Sequence, residues 1–134
     1  MEVNGACHCG AVVFEARIDP RRVGICHCVD CQIFSGSAFR TSVMVKETDF
    51  RLIEGEPAVY EKTAESGGQR RLGFCPRCGT HLYGLPPAGE ESIYSVRVGT
   101  LAQRAEIRPA VQVWCRSEVS WLSDLPGVRR ISKQ

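Results

Sequence analysis

Seven of the eight cysteines in this chain fall into three short clusters, Cys7-x-Cys9, Cys26-x-Cys28-x-x-Cys31 and Cys75-x-x-Cys78, and only Cys115 stands alone. This is the spacing of metal ligands. A tetrahedral zinc takes four Cys or His ligands when its role is structural, and three protein ligands with one open position when it does chemistry. Seven clustered thiols divide as four plus three. The six residues CHCVDC turn three thiolates toward one ion but do not easily supply a fourth, which leaves Cys7, Cys9, Cys75 and Cys78 to share a structural zinc. That ion ties the N-terminal strand to a loop in the other half of the chain. Cys26, Cys28 and Cys31 then hold a second zinc whose fourth position is free for water or a substrate atom. The competing arrangement has His8, His27 or His81 completing the trio, which makes both sites structural.

Eight cysteines in a small protein also fit a disulfide-stapled secreted scaffold. MEVNGACHCG carries no basic segment followed by an apolar run, so the expected setting is cytoplasmic, with the thiols reduced and available to metal. At 134 residues the expectation is one domain, 1–134, in which metal clips contribute heavily to stability. The formal charge of +2 is too small for a nucleic-acid partner. Seven thiolates and two zinc ions would take it to about −1. No apolar run approaches the roughly 20 residues that a membrane helix needs.

Apolar residues alternate along the chain instead of cycling at helical period. Strands are expected at 11–18, 38–45, 58–62, 70–74, 81–85, 92–98 and 107–113, with 50–57 extended until it ends in turn chemistry. Asp19-Pro20, Ser35-Gly36-Ser37 and Gly67-Gly68 read as turns, and Cys75-Pro76-Arg77-Cys78-Gly79 as a zinc knuckle. The sum is an all-β domain of several small sheets.

The succession GACHCGAVVFEA, CHCVDCQIFSGSAF and GFCPRCGTHLYG, followed by Pro109, an apolar strand and Trp121-Leu122, resembles the glutathione-dependent formaldehyde-activating enzyme (Gfa) family, whose domain is shared with centromere protein V. The resemblance spans nearly the whole chain. It implies a β-tent fold of packed antiparallel sheets around a structural zinc at Cys7, Cys9, Cys75 and Cys78, with a second zinc at Cys26, Cys28 and Cys31. It also implies a carbon–sulfur lyase whose founding activity joins glutathione to formaldehyde as S-hydroxymethylglutathione. Centromere protein V is associated with chromatin and microtubules, so the shared domain does not fix one function.

An open three-thiolate zinc lowers the pKa of a bound thiol and so delivers nucleophilic sulfur without a separate base. The expected substrate is therefore a small thiol or thiol adduct, glutathione among the candidates, and the second zinc is expected to be the more labile. The competing class is a non-catalytic, zinc-stabilised protein-binding module. For proton transfer the candidates are His27, inside the trio's loop, and Asp30, one residue before Cys31. Carboxylates on the substrate call for donors such as Arg40, Arg70, Arg71 and Arg77. Cys115 is expected to be a buried small hydrophobe, and Trp121 a core anchor.

Overall fold

The computed structural model describes residues 1–87 and 92–133. Ten strands run in the order β1 (Glu2–Ala6), β2 (Val13–Arg17), β3 (Val23–Cys26), β4 (Arg40–Lys46), β5 (Phe50–Glu54), β6 (Ala58–Thr63), β7 (Gln69–Phe74), β8 (His81–Leu85), β9 (Ile93–Arg97) and β10 (Val111–Val113). Among the described residues one short α-helix, α1 (Val29–Ser35), and several 3-10 turns interrupt them. The architecture is all-β.

The strands form two sheets where several small ones were expected. β1, β2 and β5 make a three-stranded antiparallel sheet, and the other seven strands pair in the order β10-β3-β4-β9-β8-β7-β6. β9 is the reason, since it pairs with β4 on one side and β8 on the other and so joins the two halves of the chain. All pairs in the larger sheet are antiparallel except β10 with β3.

Alternation along the strands decides what lies between the sheets. Val3, Phe14 and Ala16 of the small sheet meet Val23, Val43, Val45, Val96 and Tyr83 of the large one in a single buried cluster. Phe50 stacks on Phe14 with ring centroids 5.2 Å apart, and lies 5.2 Å from Tyr83 and 4.9 Å from Tyr94, so an aromatic group closes one side of the core. Each such ring buries a large apolar area, and the pairs add about 0.5–1.5 kcal/mol beyond it.

Four expectations are corrected at the C-terminal end and around the trio. The strand expected at 107–113 shrinks to Val111–Val113, because Pro109 has no N–H for a ladder; pairing resumes only at Ala110, whose N–H donates to Val23 O at 2.8 Å. β10 is an edge strand with all its residues exposed, and the 3-10 segment Ser120–Gly127 buries none. Cys115 and Trp121 are consequently exposed, not buried. Finally, the loop read around the trio is partly helical: Cys28 caps α1, its Sγ accepting from the N–H of Cys31 at 3.3 Å, and Gly36 ends the helix in the left-handed conformation.

Candidate metal centres and the adjoining cleft

Cys7 and Cys9 occupy the turn between β1 and β2, and Cys75 and Cys78 the turn between β7 and β8. The two hairpins belong to different sheets, so the four thiols meet where the sheets meet. Their sulfurs all lie within 4.8 Å of one another, with Cys7 to Cys9 at 3.6 Å and Cys9 to Cys75 at 3.8 Å. Four thiolates on zinc at Zn–S distances of about 2.3 Å stand about 3.8 Å apart, while a disulfide would bring a pair to about 2.05 Å. The donor set therefore fits a metal and not a bridge.

The backbone around this cluster is shaped for it. Cys7 Sγ accepts from the N–H of Val12 at 3.2 Å, and each hairpin turn is closed by a glycine at positive φ, Gly10 at 76° and Gly79 at 73°, a conformation that any Cβ would strain. Thr80 joins the halves. Its hydroxyl accepts from the His8 N–H at 3.1 Å and lies 3.1 Å from Cys78 Sγ, and this contact first of all draws the Cys78 thiol down to about 5.

Cys26 ends β3, Cys28 caps α1 and Cys31 lies in its first turn, a strand-to-helix bend that brings the three sulfurs within 4.8 Å of one another. Among the described residues no His, Asp, Glu or further Cys joins this group. Cys26 and Cys31 titrate as a coupled pair. Their contact pulls the Cys26 thiol down to about 5 and pushes Cys31 up, and the positive charge of Arg40 favours the thiolate at both.

The trio opens on a cleft of ≈ 680 Å³. Cross-strand partners share a face of a sheet, and the register puts one continuous set on the side of the large sheet that carries the cleft: Cys26 opposite Arg40, Ser42 opposite Arg97, Ser95 opposite Gly84, and Gly84 opposite Leu72, all but Ser42 lining it. The lining includes the cations Arg40, Lys62, Arg70, Arg71 and Arg97, against the acids Asp30 and Glu65, each of which is ion-paired. Among the described residues the lining cations outnumber the acids.

A family model described as glutathione-dependent formaldehyde-activating enzyme matches residues 2–117. The chain belongs to this family. A Schizosaccharomyces pombe protein named as an uncharacterized lyase is 32% identical over an 87-residue alignment that covers 61% of this chain and 56% of that protein's length. A crystal structure of a Rhodobacter sphaeroides protein, 20% identical, superposes with a TM-score of 0.65 over 82% of this chain and 99% of its own, a likeness of fold.

In this Gfa-family chain the other expected site residues separate. Asp30 lines the cleft and pairs with Lys62 of β6, while His27 is only 1% exposed, absent from the cleft wall, and holds Gln112 Oε1 at 2.7 Å from its Nε2. The main chain of His27 is also tied, its N–H to Val113 O and its carbonyl to Gln32 Nε2. Arg40, Arg70 and Arg71 line the cleft, and Arg77 does not. His8 is exposed, and His81 packs between Phe34 and Phe74. Arg97, Lys62 and Trp114 escaped the sequence reading. The first two sit in ordinary strands far from any cysteine, and Trp114 gives itself away only through its backbone, the one non-glycine residue at positive φ among those described.

Proposed function

We propose that this Gfa-family protein is a zinc-dependent enzyme of the carbon–sulfur lyase type, acting on a small thiol adduct such as S-hydroxymethylglutathione. The observation that carries the reading is the convergence of three thiols, with no fourth protein ligand among the described residues, at one end of a cationic cleft. In this reading Cys7, Cys9, Cys75 and Cys78 hold a structural zinc between the two sheets, and Cys26, Cys28 and Cys31 hold the second ion. Zinc bound by three thiolates can accept a substrate sulfur and favour its thiolate form at neutral pH.

The chain's own side chains supply the rest. In the cleavage direction the adduct's hydroxyl loses its proton, its C–O bond becomes a carbonyl, and the C–S electron pair departs on sulfur. Asp30, on the cleft wall, is the acid–base group for that proton, held in place by Lys62. Arg40, the cross-strand partner of Cys26, offsets the negative charge gathered by three thiolates and an arriving fourth. His27 acts from behind, fixing the segment between Cys26 and Cys28 through its bonds to Gln112, Gln32 and Val113.

Exchange NMR on mixtures of formaldehyde and glutathione reads the interconversion directly. The zinc-loaded protein is expected to accelerate exchange between hydrated formaldehyde and S-hydroxymethylglutathione, and Cys28→Ser to abolish the acceleration. An unchanged exchange rate with this and other thiol adducts would leave a zinc-stabilised binding module as the better account.

A further inference from the structure

Arg97 is charged, only 6% exposed, and on the floor of the cleft. Its Nη1 is fully engaged, donating to Ser42 Oγ at 3.2 Å, Ser95 O at 2.8 Å and Ser95 Oγ at 3.2 Å. Its Nε and Nη2 have no partner among the described residues. These two nitrogens form one edge of the guanidinium, with parallel N–H bonds at the spacing of the two oxygens of a carboxylate. The strands thus clamp one end of the group and leave its carboxylate-matching fork unused.

Among the described residues no carboxylate pairs with Arg97, an arrangement costly for a buried charge and only partly offset by Cys31 and Cys26, and Arg40, on the same face of the sheet, adds a second cation whose own Nε lacks a partner there. Burial, and then the Arg40 charge, hold the Arg97 guanidinium below its ordinary pKa. Gly84 lies beside Nη2 without a side chain; a Cβ there would stand 3.6 Å from that nitrogen. Two crowded guanidinium groups on a cleft floor have a simple resolution in an anion brought by a ligand.

We propose that the Nε and Nη2 edge of Arg97, assisted by Arg40, receives a carboxylate of the substrate, so that the cleft selects carboxylate-bearing molecules over neutral ones. That the same molecule carries a sulfur for the cysteine trio rests on the function proposed above. The carboxylate site itself stands on Arg97 and Arg40, whatever the trio does.

Isothermal titration of the zinc-loaded protein with S-methylglutathione and with its dimethyl ester separates the two ideas, because the capped sulfur offers the metal no thiolate. The free acid is expected to bind about tenfold or more tighter than the ester, and Arg97→Lys, which keeps the charge but loses the fork, to reduce that ratio to near one. Equal affinity of acid and ester for the unaltered protein, or no binding of either, overturns the proposal, as does a folded Arg97→Lys variant that discriminates as before. A companion titration with free glutathione on cadmium-substituted protein reads sulfur-to-metal charge transfer. Its absence alongside intact acid–ester discrimination would remove the thiol chemistry and leave the carboxylate site.

Discussion

The hydroxyl of Thr80 accepts a hydrogen bond from the main-chain N–H of His8 at 3.1 Å, although 72 residues separate them. The same oxygen lies 3.1 Å from Cys78 Sγ, so one side chain braces both hairpins of the four-cysteine cluster. Groups that orient metal ligands commonly account for ten- to a hundredfold of affinity. Thr80→Val is expected to weaken zinc retention at this cluster by about tenfold in chelator competition, and Thr80→Ser to restore it. Equal retention in all three proteins would deny Thr80 this role.

The two clusters should respond differently to loss of a ligand. Cys75 is completely buried between the sheets, so Cys75→Ser is expected to lower the melting temperature sharply and promote aggregation. Cys28→Ser should leave a folded protein whose metal content, by inductively coupled plasma mass spectrometry, falls from two zinc ions per chain to one. A Cys28→Ser protein that keeps two ions, or one that unfolds, contradicts the division into four and three.

His81 sets a pH signature. Burial chiefly, then the charges of Arg97 and Arg40, push its pKa below 6.5. The folded chain therefore takes up the proton less readily than the unfolded chain, and stability associated with His81 is present above pH 6.5 and lost as the pH falls from 6.5 toward the folded-state value. An NMR titration should place the His81 midpoint below 6.5, and Arg97→Gln should raise it. A midpoint above 6.5 would show that neither burial nor the neighbouring cations govern the ring.

Asp30 and Lys62 join α1 to β6, with the Asp30 side chain 42% and the Lys62 side chain 16% exposed. Partial exposure limits such a pair to about 0.5 kcal/mol of coupling. A double-mutant cycle with Asp30→Asn and Lys62→Met is expected to return that value for stability, while Asp30→Asn alone slows the exchange reaction more than Lys62→Met does. Equal slowing by both would assign Asp30 a purely positioning part.

Cys115 offers a contrast among the thiols. It is exposed and lies outside both clusters, so iodoacetamide should alkylate it first in zinc-loaded protein and leave the other seven intact until chelator is added. Mass spectrometry counting the adducts checks this, and rapid modification of Cys26 or Cys28 at full zinc occupancy would contradict it.

The partition of the cysteines was legible because ligand spacing is local: a Cys-x-Cys or Cys-x-x-Cys turn carries its geometry within a few residues, and only the pairing of two turns needed the fold. Strand β8 was found at its observed limits for the same reason, being short, apolar and bounded by turns. Helix α1 was not, since it is seven residues long and is capped by a cysteine where Ser, Thr, Asp or Asn is the usual signal. Arg97 and Lys62 were invisible for a different reason. Their place beside the trio comes from strand order, β9 next to β4 and β6 at the far edge, which no local pattern encodes. Cys115 and Trp121 misled because free cysteine and tryptophan are residue types usually buried, while the short edge pairing of β10 leaves that region on the outside.

The large sheet has consequences for how such a protein can change. Val43 and Val96 turn inward while their immediate neighbours Ser42 and Arg97 turn outward, so odd and even positions of the same two strands answer to separate demands. One set decides whether the chain holds together, and the other what it will admit. Ligand preference can drift through the outward set without repacking the interior, whereas a slip of one residue in the β4–β9 pairing would exchange the two sets and ruin both at once.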